Sequence, residues 1–255
     1  MGEAIIGGLV AADAYAPDSI TVAEPSAARR ETLQASHRVR VVADGRDALP
    51  ADIVLLAVKP QVMDLVVRSL SDALTPGTLV VSIAAGITCA RLESLVPAGT
   101  AVVRVMPNTP ALVRQGMAVV SGGKETTAEQ VEAVREMFAA IGEAIVLDER
   151  YQDAATAISG CGPAYVAIFI DALARAGVRQ GLTRDVAQAL AVQTLRGTVE
   201  LLEKTGQHPE QLVDGVASPG GSTIAAVEQL EAGGFRSAIS AAVEAAVKRS
   251  KELGS

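Results

Sequence analysis

Tryptophan is absent from the sequence, and only 2% of its 255 residues are aromatic. The core therefore has to be built from Ala, Val, Leu and Ile, in keeping with a hydrophobic fraction of 49%. An excess of basic residues is also lacking, because the net charge is -7 and no cluster of Lys and Arg occurs. Since nucleic-acid phosphates are neutralised by clustered cations, this composition argues against a nucleic-acid partner.

Signals for metal binding, export and membrane insertion are also missing from the sequence. Cys89 and Cys161 lack the CxxC or Cys/His spacing of a zinc site, so we interpret both as reduced core residues and expect no metal. The N-terminus shows no charged-then-apolar leader, and no apolar run reaches the ~18 residues of a membrane span. We therefore expect a cytoplasmic protein that does not interact with membranes.

The pattern of apolar residues predicts two domains of different class. Apolar β-rich runs alternate with helical patterns in the first half, which predicts a parallel Rossmann-type α/β sheet buried on both faces. The predicted strands cover residues 20–23, 39–42, 53–58, 79–83 and 101–106, and two more at 117–121 and 144–147 extend the sheet around a helix at 127–141. Helical spacing then continues to the end, with helices at 151–176 (interrupted near 160–163), 183–204, 223–231 and 235–253. We predict a dinucleotide-binding domain over 1–148 and an all-helical domain over 149–255.

The chain opens on a helical pattern that no strand precedes. Gly2 suits the third glycine of a GxGxxG turn, in which backbone N–H groups approach a pyrophosphate, and Glu24 lies at the spacing of the acidic residue that follows the second strand. An ordinary surface helix followed by an ordinary strand is the alternative. Because the first strand is central in the 3-2-1-4-5-6 order, we expect Met1 to be an internal methionine, preceded by about ten residues with an apolar strand and GxG.

Three strand ends carry residues suited to a bound cofactor, because ligands of open α/β sheets bind at the carboxyl ends of strands. Each segment also has an ordinary interpretation, namely a solvated loop lysine, tight packing of strand against helix, or a simple turn. The segments are Ala57-Val58-Lys59-Pro60, Ile83-Ala84-Ala85, and Asn108 between two prolines.

A fourth segment, Ser218-Pro219-Gly220-Gly221-Ser222-Thr223, leads directly into an apolar helical pattern. Its glycines expose backbone N–H groups, its hydroxyls add donors, and a helix N-terminus follows. This combination favours the binding of a carboxylate. The alternative is a flexible loop with a Ser or Thr N-cap.

Six strings along the chain resemble those of the pyrroline-5-carboxylate reductase family, and the resemblance covers essentially the whole chain. In order they are AVKP, SIAAG, RVMPNTP, SGCGPAY, SPGGSTIAAVEQLE and GGFRSAISAAVEAA. The resemblance implies reduction of 1-pyrroline-5-carboxylate to L-proline, the last step of proline biosynthesis. It also implies NADPH or NADH bound by the N-terminal domain and a homodimer formed by the helical domain. The chain departs from the family pattern where Cys161 replaces the usual Ser and where Gly45 follows Asp44.

The resemblance, together with the spacing, assigns a role to each site residue. Thr223 is expected to be the catalytic hydroxyl that hydrogen-bonds the ring nitrogen of the substrate. The expected substrate-binding residues are Ser218, Gly220, Gly221, Ser222 and Thr223. The expected cofactor-binding residues are Gly2, Glu24, Ser26, Arg29, Ala57, Val58, Lys59, Pro60, Ile83, Ala84, Ala85 and Asn108.

The choice of cofactor and the activity itself leave alternatives open. Glu24 is typical of a ligand for the NAD ribose, whereas Ser26, Arg29 and Arg30 could accept a 2′-phosphate, and the resemblance favours NADPH. A related dehydrogenase acting on a hydroxy acid or another imine is a second possibility. Such enzymes usually place a catalytic Lys on the helical domain, whose lysines, Lys204, Lys248 and Lys251, lie in no motif. A third possibility is a non-catalytic remnant that only dimerises.

Overall fold

The computed structural model describes residues 1–254, with side chains up to residue 252, and the chain divides into two compact units. The first unit contains residues 1–161 together with the end of the last helix from Ala246 onward. The second unit runs from Gly162 to Ala245. The predicted boundary at 148/149 precedes this division and stays a prediction.

The first unit alternates strands and helices, as the apolar runs predicted. Its strands are β1 (Thr21–Ala23), β2 (Arg40–Val42), β3 (Ile53–Leu56), β4 (Leu79–Ser82), β5 (Ala101–Met106), β6 (Gly116–Gly122) and β7 (Gly142–Val146). Its helices are α1 (Gly2–Ala11), α2 (Ala27–His37), α3 (Met63–Leu70), α4 (Cys89–Glu93), α5 (Ala128–Ala139) and α6 (Gln152–Ala155). A π-helical turn, Thr156–Gly160, follows α6 and confirms the predicted interruption of the long helix.

The strands form two separate sheets. The larger sheet has the order β3-β4-β5-β6-β7, and β1 pairs only with β2, in parallel. Strands β3, β4 and β5 are parallel, but β6 is antiparallel to β5. The two later strands extend the sheet, as predicted, but β6 does so in the opposite direction to β5. The nine residues between Met106 and Gly116 contain no crossover helix, and a parallel return needs a dozen or more residues.

Strands β4 and β5 are buried on both faces, which explains their unbroken aliphatic sequences. Val80 and Val102 lie in one hydrophobic cluster, with the side chains of α3 and α4. Val81 and Val103 lie in the other cluster, together with Phe138 of α5. Because successive strand residues point to opposite faces, each valine pair belongs to a different core.

A buried ion cluster attaches the start of α6 to β5. The Arg104 side chain is 5% exposed, and its Nη1 lies 3.3 Å from Oε1 of Glu149. Its Nη2 lies 3.8 Å from Oδ1 of Asp153, which also accepts a 2.7 Å hydrogen bond from Ser250 Oγ. The cluster fixes residues 149–153 against the sheet.

Replacing Arg104 by Met is expected to lower the free energy of unfolding by about 2 kcal/mol, because two carboxylates lose their buried cation. The acids are partly exposed, so the effect should stay below that of a fully buried pair. The matched control is Arg135→Met, which removes an exposed ion pair with Glu132 within α5. Urea unfolding of both variants measures the difference, and equal losses would contradict the prediction.

The second unit is entirely helical, as predicted. Its elements are α7 (Gly162–Arg179), α8 (Arg184–Thr205), α9 (Pro209–Val216), α10 (Ser222–Ala232) and the first half of α11 (Phe235–Gly254). In this unit only three buried residues, Ala174, Ala187 and Ala191, form a core cluster. Large apolar side chains such as Val166, Ile168 and Leu190 are exposed instead.

One expectation about membranes needs correction. The helical segment Glu149–Arg179 is long and apolar enough, by length and composition, to cross a membrane. Only 11% of its most apolar window is buried within the chain. A helix that a second subunit covers passes the same test, so this segment alone is weak evidence for a membrane span.

Candidate active site

The carboxyl ends of β3, β4 and β5 lie along one edge of the larger sheet, because these strands are parallel. The segments that follow, 57–60 and 83–85, are therefore brought together as the sequence predicted. A Cβ atom built on Gly2 would lie 3.2 Å from the Cβ of Ala57, so the start of α1 lies directly against this edge. Gly2 therefore lies at the N-terminus of a helix and close to the strand ends. This arrangement suits a cofactor that carries a pyrophosphate.

The turn after β1 contains the residues expected to contact the cofactor ribose. The N–H of Ser26 donates to Oε1 of Glu24 at 2.9 Å. Arg30 closes the turn, because its Nη1 donates to the carbonyl oxygens of Glu24 at 2.9 Å and Pro25 at 2.7 Å. Arg30 therefore shapes the turn, and contacts of Glu24 and Ser26 with the cofactor stay predictions.

Arg29 pairs with an acidic residue that the sequence reasoning missed. Its Nη2 lies 2.8 Å from Oε2 of Glu3, and Nε2 of His37 lies 3.5 Å from the other Glu3 oxygen. The hydrogen bond from Arg29 lowers the pKa of Glu3, so this carboxylate stays ionised at neutral pH. The partners are 26 positions apart on different helices, and no local signal links them. A contact of Arg29 with the cofactor stays a prediction.

Asn108 follows β5 at the same sheet edge, but its carboxamide has partners within the protein. Its Nδ2 donates to the carbonyl oxygen of Ser159 at 2.9 Å, and its Oδ1 accepts from the N–H of Met117 at 2.9 Å. Only 9% of the residue is exposed. One hydrogen of its Nδ2 and one lone pair of its Oδ1 are left for the predicted contact with the cofactor.

Cys89 is buried, as expected for a core cysteine, while Cys161 is half-buried. Burial, reinforced by the negative charge of Glu149, raises the pKa of the Cys89 thiol to about 12. The Cys89 N–H donates to Oε1 of Glu149 at 2.8 Å. The thiol therefore stays protonated at neutral pH and is no nucleophile.

In the helical unit, the loop before α10 has the geometry of an anion site. Gly220 has a φ of +67°, and Gly221 precedes α10 as its N-cap. A Cβ on Gly221 would meet the Oγ of Ser218, so the glycine lets this hydroxyl lie close to the backbone at the start of α10. The first N–H groups of α10, at Ser222 and Thr223, have no intrahelical partner.

No side chain caps the N-terminus of α10. The alternative of a loop with a Ser or Thr N-cap is therefore wrong, because the cap position holds Gly221. Since the hydroxyls of Ser218, Ser222 and Thr223 are not used as caps, they remain suited to a ligand. His208, by contrast, is used structurally, because its Nδ1 accepts from the N–H of Glu210 at 3.2 Å at the start of α9.

Arg236, at the start of α11, braces the helices on either side of this loop. Its Nη2 lies 2.8 Å from Oε1 of Glu210 in α9, and its Nε lies 2.6 Å from Oε1 of Glu231 in α10. The hydrogen bonds that the guanidinium donates to the carboxylates of Glu231 and Glu210 raise the pKa of Arg236. One guanidinium therefore fixes the start of α9 relative to the end of α10. The sequence did not predict this role, although Arg236 lies in the segment GGFRSAISAAVEAA.

Two family models match the chain. The model described as pyrroline-5-carboxylate reductase dimerisation covers residues 149–253. The model described as NADP oxidoreductase coenzyme F420-dependent covers residues 1–86. Within residues 1–254, no group of three or more His, Cys, Asp or Glu side chains is arranged to hold a metal ion.

Curated relatives and solved structures agree with these models. A pyrroline-5-carboxylate reductase from Synechocystis sp. is 48% identical and covers 100% of this chain and 95% of its own length. The Arabidopsis thaliana enzyme of that name is 41% identical over 99% of this chain and 92% of its own. A pyrroline-5-carboxylate reductase from Coxiella burnetii has a TM-score of 0.94 at 35% identity, covering 100% of this chain and 95% of that chain. The Plasmodium falciparum pyrroline carboxylate reductase with NADP bound has a TM-score of 0.89 at 34% identity, with the same coverage. This chain belongs to the pyrroline-5-carboxylate reductase family.

Proposed function

We propose that the protein reduces 1-pyrroline-5-carboxylate to L-proline, with NADPH as the hydride donor. The main support is the N-terminus of α10, which no side chain caps and which follows a glycine turn. The chain also matches its relatives over nearly their whole length. A carboxylate is the ligand that such a helix N-terminus favours. The substrate carries one next to its ring imine.

The protein's part in the reaction is mainly positioning. The N–H groups of Ser222 and Thr223 and the Ser218 hydroxyl hold the carboxylate, and the N-terminal end of the α10 dipole adds a favourable field. The Thr223 hydroxyl hydrogen-bonds the ring nitrogen, which becomes an amine as the C=N carbon is reduced. An imine is basic enough to be protonated near neutral pH, so no strong acid from the protein is required.

NADPH, when bound, supplies the hydride from C4 of its dihydronicotinamide ring. In the first unit Gly2 and residues 57–60 and 83–85 would hold it, because they line the carboxyl edge of the parallel strands. Ser26 and Arg29 would bind the 2′-phosphate of NADPH after β1, whereas Glu24 would favour the free ribose 2′-hydroxyl of NADH. NADH is the competing donor that the same turn has to discriminate against.

The test is oxidation of NADPH on addition of 1-pyrroline-5-carboxylate, followed at 340 nm, with proline identified in the product. A cyclic imine without the carboxylate and a 2-hydroxy acid with NADP+ serve as competing substrates. Faster turnover of either competitor would favour the related-dehydrogenase alternative. Failure of the protein to change NADPH fluorescence would favour the non-catalytic remnant.

We further propose that the helical unit assembles with a second copy of the chain. The support is the exposed apolar surface of α7 and α8, combined with the very small core that this unit has of its own. The match to a dimerisation model over 149–253 points the same way. On this proposal the apolar helix Glu149–Arg179 is covered by the partner, and the enzyme is a soluble homodimer or an assembly of dimers.

Replacing Ile168 by Glu is expected to convert the assembly to monomers. Ile168 is 69% exposed on α7, and burying an unpaired carboxylate in an interface costs several kcal/mol. Leu65→Glu is the matched control, because Leu65 is 73% exposed on α3 in the first unit. Light scattering after gel filtration gives the mass of each variant. Dissociation by the Leu65 variant alone would place the interface elsewhere.

A further inference from the structure

Asn108 is the only asparagine in the sequence, and its side chain joins three segments of the first unit. It follows β5, donates to the π turn at Ser159 and accepts from Met117 at the start of β6. A buried carboxamide with both ends bonded is a rigid connection, because leaving either partner unpaired costs ~1–3 kcal/mol.

The π turn that Asn108 contacts is energetically costly. The Cys161 N–H bonds to the carbonyl oxygen of Thr156 at 2.9 Å, one residue beyond the α-helical partner. Among the described residues, the buried Oγ1 of Thr156 has no hydrogen-bond partner. Single π turns inside helices often mark functional sites, and an unsatisfied buried hydroxyl needs an explanation.

The π turn also lies against the carboxyl edge of the sheet. A Cβ on Gly160 would lie 3.2 Å from Cε of Met106, the last residue of β5. Strands β3 and β4 end at the same edge, where the proposed cofactor binds. The π turn therefore lines one side of the proposed cofactor site. The hydrogen bond from Asn108 to Ser159 sets the distance between this turn and β5.

From this geometry we infer that Asn108 is a positioning residue, which holds the π turn Thr156–Gly160 as a fixed wall for the reducing ring of the cofactor. The inference rests on the proposed function for the identity of that ring. Asn108 acts through Ser159 and not through a contact with the cofactor. Because misplacing a reacting group by about 1 Å can cost ~10²-fold in rate, a partly released wall should lower kcat and leave nucleotide affinity nearly unchanged.

The test variant is Asn108→Asp, which keeps an acceptor for the Met117 N–H but presents no N–H to Ser159. We expect hydrogen exchange of the Cys161 amide to rise at least ~10-fold and kcat to fall about 10-fold, with the Kd for NADPH changed less than about 2-fold. Gln152→Glu is the matched control. Gln152 is a fully buried amide that donates to Val119 O and Ser121 Oγ, so its loss costs stability without freeing Ser159.

Gly160→Ala crowds the turn against Met106 and Thr156, each of which would lie 3.2 Å from the added Cβ, and provides a second, milder variant should Asn108→Asp fail to fold. It should lower kcat with the Kd for NADPH unchanged. The inference is overturned if the Kd rises about 10-fold or more while exchange at Cys161 stays normal, since Asn108 would then contact the cofactor directly. It is also overturned if Gln152→Glu gives the same kinetic loss. An inactive wild-type protein would contradict the proposed function but not the structural role of Asn108, because hydrogen exchange still reports whether Asn108 holds the turn.

Discussion

Replacing Thr223 by alanine is expected to lower kcat/KM for 1-pyrroline-5-carboxylate about 10²-fold, the scale of losing one positioned hydrogen-bond donor. The hydroxyl is assigned to the ring nitrogen, whose charge and geometry change as the imine is reduced. Its loss therefore removes an interaction that is strongest in the transition state. Steady-state NADPH oxidation measures the effect.

Stability should separate this role from a structural one. Because Gly221, and not a hydroxyl residue, is the N-cap of α10, Thr223→Ala should leave the melting temperature nearly unchanged. Thr223→Ser keeps the hydroxyl and should retain most of the activity. Ser222→Ala keeps the backbone N–H groups and should raise KM only slightly. If Thr223→Ala matched the wild-type kcat/KM, the hydroxyl would have no part in the mechanism.

The parts of the site that depend on local sequence were predictable. Residues 218–223 combine two glycines, three hydroxyls and a following helix within one segment, and the structure places them as expected at the start of α10. The strand ends at 57–60 and 83–85 were predictable for the same reason, because apolar runs fix the strands and parallel pairing fixes the edge. The alternation of Val80 and Val81 between two cores also follows from strand periodicity.

Contacts between distant segments were not predictable from one sequence. The Asn108–Ser159 bond joins positions 51 apart, and the Arg104–Glu149 pair joins positions 45 apart. No periodicity relates such positions, because the contacts depend on how the sheet and helix α6 pack. The antiparallel β6 was missed because strand patterns carry no information about direction. Only the connection from β5 carries that information, because its nine residues are too few for the crossover that a parallel strand needs.

The strands of the first unit form two separate sheets and not one continuous sheet. Strand β1 pairs only with β2 and strand β3 only with β4, so each has one edge without a strand partner in the part of the chain described. Extending the chain at Met1 with a five-residue apolar strand and a GxG turn is expected to lower the Kd for NADPH at least ~10-fold. Each hydrogen bond formed along the two strand edges contributes ~0.5–1.5 kcal/mol, and the glycine turn brings N–H groups to the pyrophosphate.

The controls for this extension separate pairing from length. An extension of equal length built from Gly and Ser offers no apolar strand and should leave both the Kd and the melting temperature unchanged. An apolar strand whose GxG is replaced by AxA should raise the melting temperature but not the affinity, because the added Cβ atoms keep the pyrophosphate from the backbone. NADPH fluorescence titration and thermal unfolding measure the two effects independently. Equal affinity of all three extended chains and the 255-residue chain would mean that the edges of β1 and β3 play no part in nucleotide binding.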